Sequence, residues 1–275
     1  MGEFTKRISE RVQHTQIEEG YCLICGEYER LTFDHVPPQG CVTITKTEQF
    51  HLSEYMDLPS LKMKGVQSNN GSKFKTICRA CNNLIGRDDE ELSLLIGRVT
   101  SEVRREVYNI NRFGNVIRFN VDVVKFCRAM VGHILSATST RECAIPANTS
   151  DYFLSLREFV LRNGARTIQD THDFYCWFYP FKWHISAKMF AMHNNGHQAS
   201  LSALHFFPIG FLVSEKGKGI YPAQAYKIDL NKNSIDVDLS AANVRLASMP
   251  LCELSGDQFI VFQSSQTIVS QPIKS

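Results

Sequence analysis

Apolar and polar positions divide the chain into stretches of different period. Near the start, Ile8, Val12 and Ile17 recur at loosely helical intervals within 5–18, which predicts a short amphipathic helix inside 1–20. Leu31-Thr32-Phe33 reads as a brief strand running into Asp34-His35. Val36-Pro37-Pro38 ends it, because proline cannot donate to a ladder. Residues 39–72 show no clear period and contain Pro59, Gly65 and Asn69-Asn70-Gly71, the chemistry of turns, so an irregular stretch is expected. A second strand is predicted through 73–77. After Gly86, the acidic run Asp88-Asp89-Glu90-Glu91 suits the positive end of a helix dipole. Leu92, Leu95, Ile96, Val99, Val103 and Val107 follow at helical spacing. The order so far is strand, long loop, strand, helix.

From about residue 115 the character changes. Asn120 is placed to cap a helix over 121–136, with Val124, Cys127, Val131 and Leu135 on one face. A second helix over 151–162 is closed by Asn163-Gly164. Strand patterns follow at 174–181, 183–191 and 204–213. A hairpin is expected from 225–230 and 234–239 around Asn231-Lys232-Asn233, and a last strand at 258–263. The predicted fold class is α+β. A motif-bearing module spans 21–110, and a second α+β domain of two helices and antiparallel strands spans 115–275, the boundary falling in 108–120.

Composition narrows this only a little. A chain of 275 residues can bury one large core or two smaller ones, and 21% charged with 43% hydrophobic residues is an ordinary globular balance. A net charge of +2 does not announce a polyanion-binding protein, so any such surface must be local. One stands out: residues 58–87 hold Lys62, Lys64, Lys73, Lys75, Arg79 and Arg87 and no acidic residue. That excess suits attraction to a nucleic-acid backbone without sequence readout. The first twenty residues are charged and lack an apolar signal core, and no run is long enough to span a bilayer, so a soluble cytoplasmic protein is expected. Cysteine usage agrees. Of nine cysteines, five are scattered singly and four fall in C-x-x-C pairs, the pattern of metal ligands in a reducing compartment.

Those pairs are Cys22/Cys25 and Cys78/Cys81, a set suited to one tetrahedral structural Zn²⁺. Such a site contributes roughly 10–16 kcal/mol of apparent folding free energy, enough to close the long intervening loop. Between the pairs lie Asp34 and His35, and directly after the last cysteine lies Asn82. A carboxylate and an amide oxygen suit a hard cation such as Mg²⁺ or Mn²⁺, and an imidazole with a pKa near ~6.5 can take a proton at neutral pH. Asn83 rivals Asn82, while Asp88 and Asp89 are either further ligands or helix caps. The aromatic run 174–183 reads as core rather than as a base-stacking platform, and His193-Asn-Asn-Gly-His197 as a turn rather than a ligand pair.

Cys-x-x-Cys, Asp-His, then Cys-x-x-Cys-Asn resembles the HNH, or ββα-metal, endonuclease superfamily in its zinc-stapled form. The resemblance covers about residues 20–105. Asp34-His-Val-Pro-Pro38, Cys78-Arg-Ala-Cys-Asn-Asn83 and the acidic 88–91 also resemble a bacterial HNH subgroup associated with genome defence and mobile elements. The resemblance implies a treble-clef-like ββα module, a divalent metal on Asp34 and Asn82, and His35 as general base. It further implies DNA as substrate, cut to 5′-phosphate and 3′-hydroxyl ends. Asn69 and Asn70 are candidates for the family's middle asparagine. Cutting a duplex takes two sites or two successive nicks, which makes a homodimer attractive. Two alternatives stay open: a zinc module that binds nucleic acid or protein without chemistry, and a nuclease kept silent by a regulatory 115–275 domain.

Overall fold

Two sheets pack against one buried helix in the computed structural model of the protein, which describes residues 7–11, 16–42, 46–56, 65–68, 72–108, 116–163, 167–240 and 246–273. A short helix α1 (Ile8–Arg11) leads to strands β1 (Glu19–Tyr21) and β2 (Tyr28–His35). Then come β3 (Thr47–His51), helix α2 (Leu52–Met56) and β4 (Val66–Ser68). Strand β5 (Lys73–Cys78) returns beside β2 and runs straight into α3 (Arg79–Gly86), followed by α4 (Asp89–Tyr108). The second half holds β6 (Val116–Asn120), α5 (Val123–Ser136), α6 (Asp151–Leu161), β7 (His172–Phe178), β8 (His184–Asn194), β9 (His197–Phe206) and β10 (Ile209–Glu215). It ends with β11 (Tyr226–Ile228), β12 (Ser234–Asp238), β13 (Phe259–Phe262) and β14 (Thr267–Pro272). Every described ladder is antiparallel, so the fold is α+β.

The small sheet has the order β1-β2-β5. The large one runs β11-β7-β10-β9-β8-β14-β3-β4, with β13 added along β8. Strands β7 and β10 are apolar or aromatic over 174–178 and, Gly210 apart, over 209–213, because both their faces are covered there. Phe174, Cys176, Phe211 and Val213 enter the core around α5, whereas their neighbours Tyr175, Trp177 and Leu212 enter a second cluster with Ile220 and Met249. Successive side chains point to opposite faces, so one run of apolar residues serves two cores. The β8–β9 hairpin turns on Asn195 and Gly196, both at positive φ (50° and 79°), the geometry of a two-residue type I′ turn. The His193–His197 segment is thus a turn, as read from its asparagines and glycine.

Helix α5 is the centre of the molecule. Asp122 caps it by accepting from the Lys125 N–H at 3.0 Å. Phe126, Cys127, Met130, Val131, Ile134 and Leu135 are all buried, and the helix touches β2, β5, α3, α4 and α6 as well as β8 and β9. A helix buried all round carries its apolar residues on every side rather than along one stripe. Truncating Phe126 to alanine would cost about 3–5 kcal/mol on this account.

Several expectations need correction. The expected boundary at 108–120 does not separate two cores, because one apolar cluster continues from Leu23, Ile77 and Leu95 through α5 to Phe211. Residues 39–72 are not simply irregular. They carry β3 and β4, and β3 pairs with β14 through Phe50↔Val269 and Gln49↔Ser270, so this stretch belongs to the large sheet. The helix expected within 1–20 is described only over Ile8–Arg11, and Glu19 already belongs to β1. Asn120 ends β6 instead of capping α5. The run 204–213 is two strands broken at Phe207-Pro208. The hairpin expected at 225–239 does not form, since β11 pairs with β7 and β12 with β6. No helix among the described residues is long and apolar enough to cross a membrane.

Candidate functional site

The first cysteine pair sits on a tight turn between β1 and β2. The Cys22 N–H donates to the Glu27 carbonyl at 2.9 Å and the Gly26 N–H to the Cys22 carbonyl at 2.9 Å, with Gly26 at φ +83°, a conformation glycine adopts without cost. The Leu23 N–H donates to the Thr76 carbonyl at 3.1 Å, which lays this turn against β5. The second pair lies where β5 becomes α3. Cys78 is the N-cap residue and its N–H donates to Cys22 Sγ at 3.3 Å, so the thiol sulfurs meet the positive end of a helix dipole. All four sulfurs lie within 4.8 Å of one another, and Cys25 Sγ is 3.8 Å from Cys78 Sγ. A tetrahedron of ~2.3 Å Zn–S bonds has edges of about 3.8 Å, so the donor set matches a zinc site in kind and spacing. Hydrogen bonds from the Cys25 and Cys81 thiols hold the Cys22 thiol down at about 2, while the same contacts push Cys25 and Cys81 up.

Asp34 and His35 end β2 on opposite sides of the strand, as alternation requires. Asp34 is 4% exposed and faces α5. Its Oδ2 accepts from Ser136 Oγ at 2.5 Å and from His133 Nδ1 at 2.9 Å. His133, 1% exposed, donates its other nitrogen to Asp89 Oδ1 at 2.8 Å. Burial alone would push His133 down, but the two carboxylates more than reverse this and hold it at about 10. It is therefore an imidazolium at neutral pH, between two acids.

His35 is half-buried, opposite Lys73 in the β2–β5 ladder. The Gln39 amide nitrogen lies 2.9 Å from His35 Nε2 and can only donate, so Nε2 carries the lone pair. Burial first, and then the Lys73 charge, lower His35 below its ordinary value against the opposing pull of Asp34. At neutral pH this ring is an uncharged base.

Asn82 lies in the first turn of α3, over β2. Its Nδ2 donates to the Phe33 carbonyl at 2.9 Å and to Thr32 Oγ1 at 3.2 Å. A main-chain carbonyl only accepts, so the amide orientation is determined and Oδ1 is turned away from these partners. Neither Asn82 Oδ1 nor Asp34 Oδ1 takes part in a hydrogen bond among the described residues. Asn83 is exposed. Asp88 does not join this group: it is buried against Arg128 at 3.3 Å and Arg162 at 3.0 Å. Among the described residues, the four cysteines are the only group of three or more His, Cys, Asp or Glu side chains gathered closely enough to hold a metal.

The basic stretch is less open than its sequence suggests. Lys75 is buried, pairing with Glu18 at 2.6 Å and lying over the Phe33 ring at 5.6 Å. Lys73 is half-buried beside His35, and Arg79 and Arg87 are exposed at the two ends of α3. Lys62, Lys64, Asn69 and Asn70 lie outside the described residues. A cleft of about 940 Å³ on the same side is lined by Arg7, Arg30, Lys75 and Arg79, but also by Glu18 and Glu29. Its charge is mixed.

Sequence reasoning missed His133 and Ser136. The available signal was an imidazole and a hydroxyl three residues apart in the otherwise uncharged, apolar stretch 129–136, each in need of a buried polar partner. Comparison with family models, curated proteins and solved structures returned no match for this chain.

Proposed function

We propose that this chain is a zinc-stapled, divalent-metal-dependent endonuclease of the HNH type, acting on DNA phosphodiester bonds. The reading is supported at the end of β2, where Asp34 and His35 are successive residues and Asn82 is tied to the Phe33 carbonyl at 2.9 Å, in a frame closed by four cysteines. The imidazole is uncharged at neutral pH, and among the described residues Asp34 Oδ1 and Asn82 Oδ1 take no hydrogen bond. Zn²⁺ on Cys22, Cys25, Cys78 and Cys81 is structural. Asp34 Oδ1 and Asn82 Oδ1 are hard oxygen donors and would hold Mg²⁺ or Mn²⁺. Such an ion supplies charge neutralisation on the scissile phosphate. His35 Nε2, once released by exposed Gln39, accepts the proton of the attacking water. Lys73 keeps that ring neutral beforehand and offers positive charge to the phosphate. Arg79 and Arg87 extend that attraction along α3 without reading sequence.

The test is cleavage of plasmid DNA with Mg²⁺ or Mn²⁺, with and without EDTA, for the wild type and His35→Ala. General bases contribute roughly 10²–10⁴-fold, so His35→Ala should lose at least about a hundredfold in rate while keeping zinc and DNA affinity. Undiminished cutting by the variant would remove His35 from the mechanism. One observation favours a second reading, a non-catalytic zinc module: Asp34 already spends one oxygen on Ser136 and His133. A zinc-loaded wild-type protein that binds DNA and never cuts it would decide for that reading.

A further inference from the structure

Helix α5 reaches Asp34 from far along the chain and meets it with two donors. Ser136 Oγ and His133 Nδ1 both converge on Oδ2, at 2.5 and 2.9 Å. These contacts are almost wholly shielded from water, with His133 and Ser136 1% and 0% exposed. Two fixed donors on one oxygen restrict the carboxylate, and among the described residues the other oxygen takes no hydrogen bond. Asp89 completes the arrangement: its Oδ1 holds the far nitrogen of His133 at 2.8 Å, which fixes the ring with Nδ1 on Asp34. The backbone is tied as well, since Thr76 Oγ1 on β5 donates to the Ser136 carbonyl at 2.6 Å.

We infer that His133 and Ser136 are positioning residues for Asp34, with Asp89 holding the His133 ring, so that α5 completes the cation site instead of merely packing against it. This rests on the proposed role of Asp34 as a metal ligand. Outer partners that orient a ligating carboxylate are worth roughly 10–100-fold in metal affinity.

The experiment measures Mn²⁺ binding to the full-length zinc-loaded protein by electron paramagnetic resonance, alongside Mn²⁺ dependence of plasmid cleavage. The proteins are wild type, Ser136→Ala, His133→Leu, His133→Asn and Asp34→Asn. Asparagine at 133 places an amide N–H near the position of Nδ1, whereas leucine fills the space without donating. His133→Leu and Ser136→Ala should weaken Mn²⁺ binding by about tenfold or more with zinc content unchanged, and His133→Asn should recover most of that loss. Wild-type Mn²⁺ affinity in His133→Leu and Ser136→Ala, in a protein that cuts DNA, would overturn the inference and leave the nuclease intact. Equal loss in His133→Leu and His133→Asn would reduce His133 to a structural role. Should His133→Leu fail to fold, Ser136→Ala decides alone, because it deletes one hydroxyl from a packed helix. No cleavage by the wild type, with Asp34→Asn binding Mn²⁺ as the wild type does, would overturn both this inference and the function beneath it.

Discussion

Raising the pH from 6.5 towards 10 should strip the proton that His133 holds between Asp34 and Asp89. In the unfolded chain a histidine titrates near ~6.5, whereas burial opposed by the two carboxylates leaves His133 at about 10 in the fold. The folded value is the higher one, so this stabilisation is complete below 6.5 and is lost as pH rises through 10. By linkage the interval corresponds to a contribution on the order of 5 kcal/mol for a fully buried ring. The acid side has the opposite sign. Burial lowers His172 and His205 to about 4. His205 accepts from the Phe211 N–H on Nδ1 at 3.2 Å and donates from Nε2 to the Met249 carbonyl, a pattern only the neutral ring can make. Their contribution is present above 6.5 and is lost as pH falls towards 4. Stability should therefore peak near pH 6.5 and decline on both sides. Urea midpoints for wild type and His133→Asn, taken from pH 5 to 9.5 in zinc-containing buffer, separate the two limbs. The wild type should lose stability steeply above pH 7, the variant should be much flatter there, and both should share the acid limb. If the two proteins lose the same stability between pH 7 and 9.5, the buried triad is not charged and the reasoning fails.

Elemental analysis should find one zinc per chain, and Cys78→Ser should abolish it together with the cooperative unfolding transition; a well-folded zinc-free variant would refute the staple. Gly132→Ala should cost about 1–3 kcal/mol, because the added Cβ would stand 2.8 Å from Ile85 Cγ1 where α5 crosses α3, and Ile85→Ala in the same chain should recover part of it by thermal melting. A pH–rate profile of cleavage should place its acid limb below 6.5, the direction in which burial and Lys73 move His35, and a limb above 7 would exclude His35 as the base. Removing residues 115–275 should give an insoluble or inactive fragment, since it bares the α5-facing residues of α3 and α4 and takes away the partners of Asp34; a soluble, active fragment would instead support a regulatory second half.

Features local in sequence were legible, and those that depend on distant partners were not. The cysteine pairs could be read because thiolate chemistry leaves few alternatives at that spacing, and Cys25 and Cys78 do meet, 53 residues apart. Strands β2 and β5 and helix α4 followed from strand and helix periods together with the proline and acidic punctuation around them. The partnership of His133 with Asp34 spans 99 residues, and nothing near either residue announces the other. Pairing failed for the same reason. Alternation identified strands at 226–228 and 234–238, but choosing each other as partners was a local guess, and β7 and β6 offered better edges. Strand β14 was missed because its first four residues, Thr267, Ile268, Val269 and Ser270, are all buried, which erases alternation.

The first and second halves of the chain share one apolar cluster, and α5 is the element that joins them, touching β2, β5, α3 and α4. The last two turns of the helix, 129–136, are buried on every side, since β8 and β9 cover another part of it. Within such a helix a histidine and a serine are costly unless they are paired, by about 1–3 kcal/mol for each unsatisfied group. Their retention at 133 and 136 therefore needs partners, and the partners they have are Asp34 and Asp89. An apolar pair at 133 and 136 would pack as well against α3 and α4 but would leave the Asp34 carboxylate buried without donors. The cost of the polar pair in α5 and the burial of the acid in β2 explain each other, and neither makes sense if the two halves of the chain are independent.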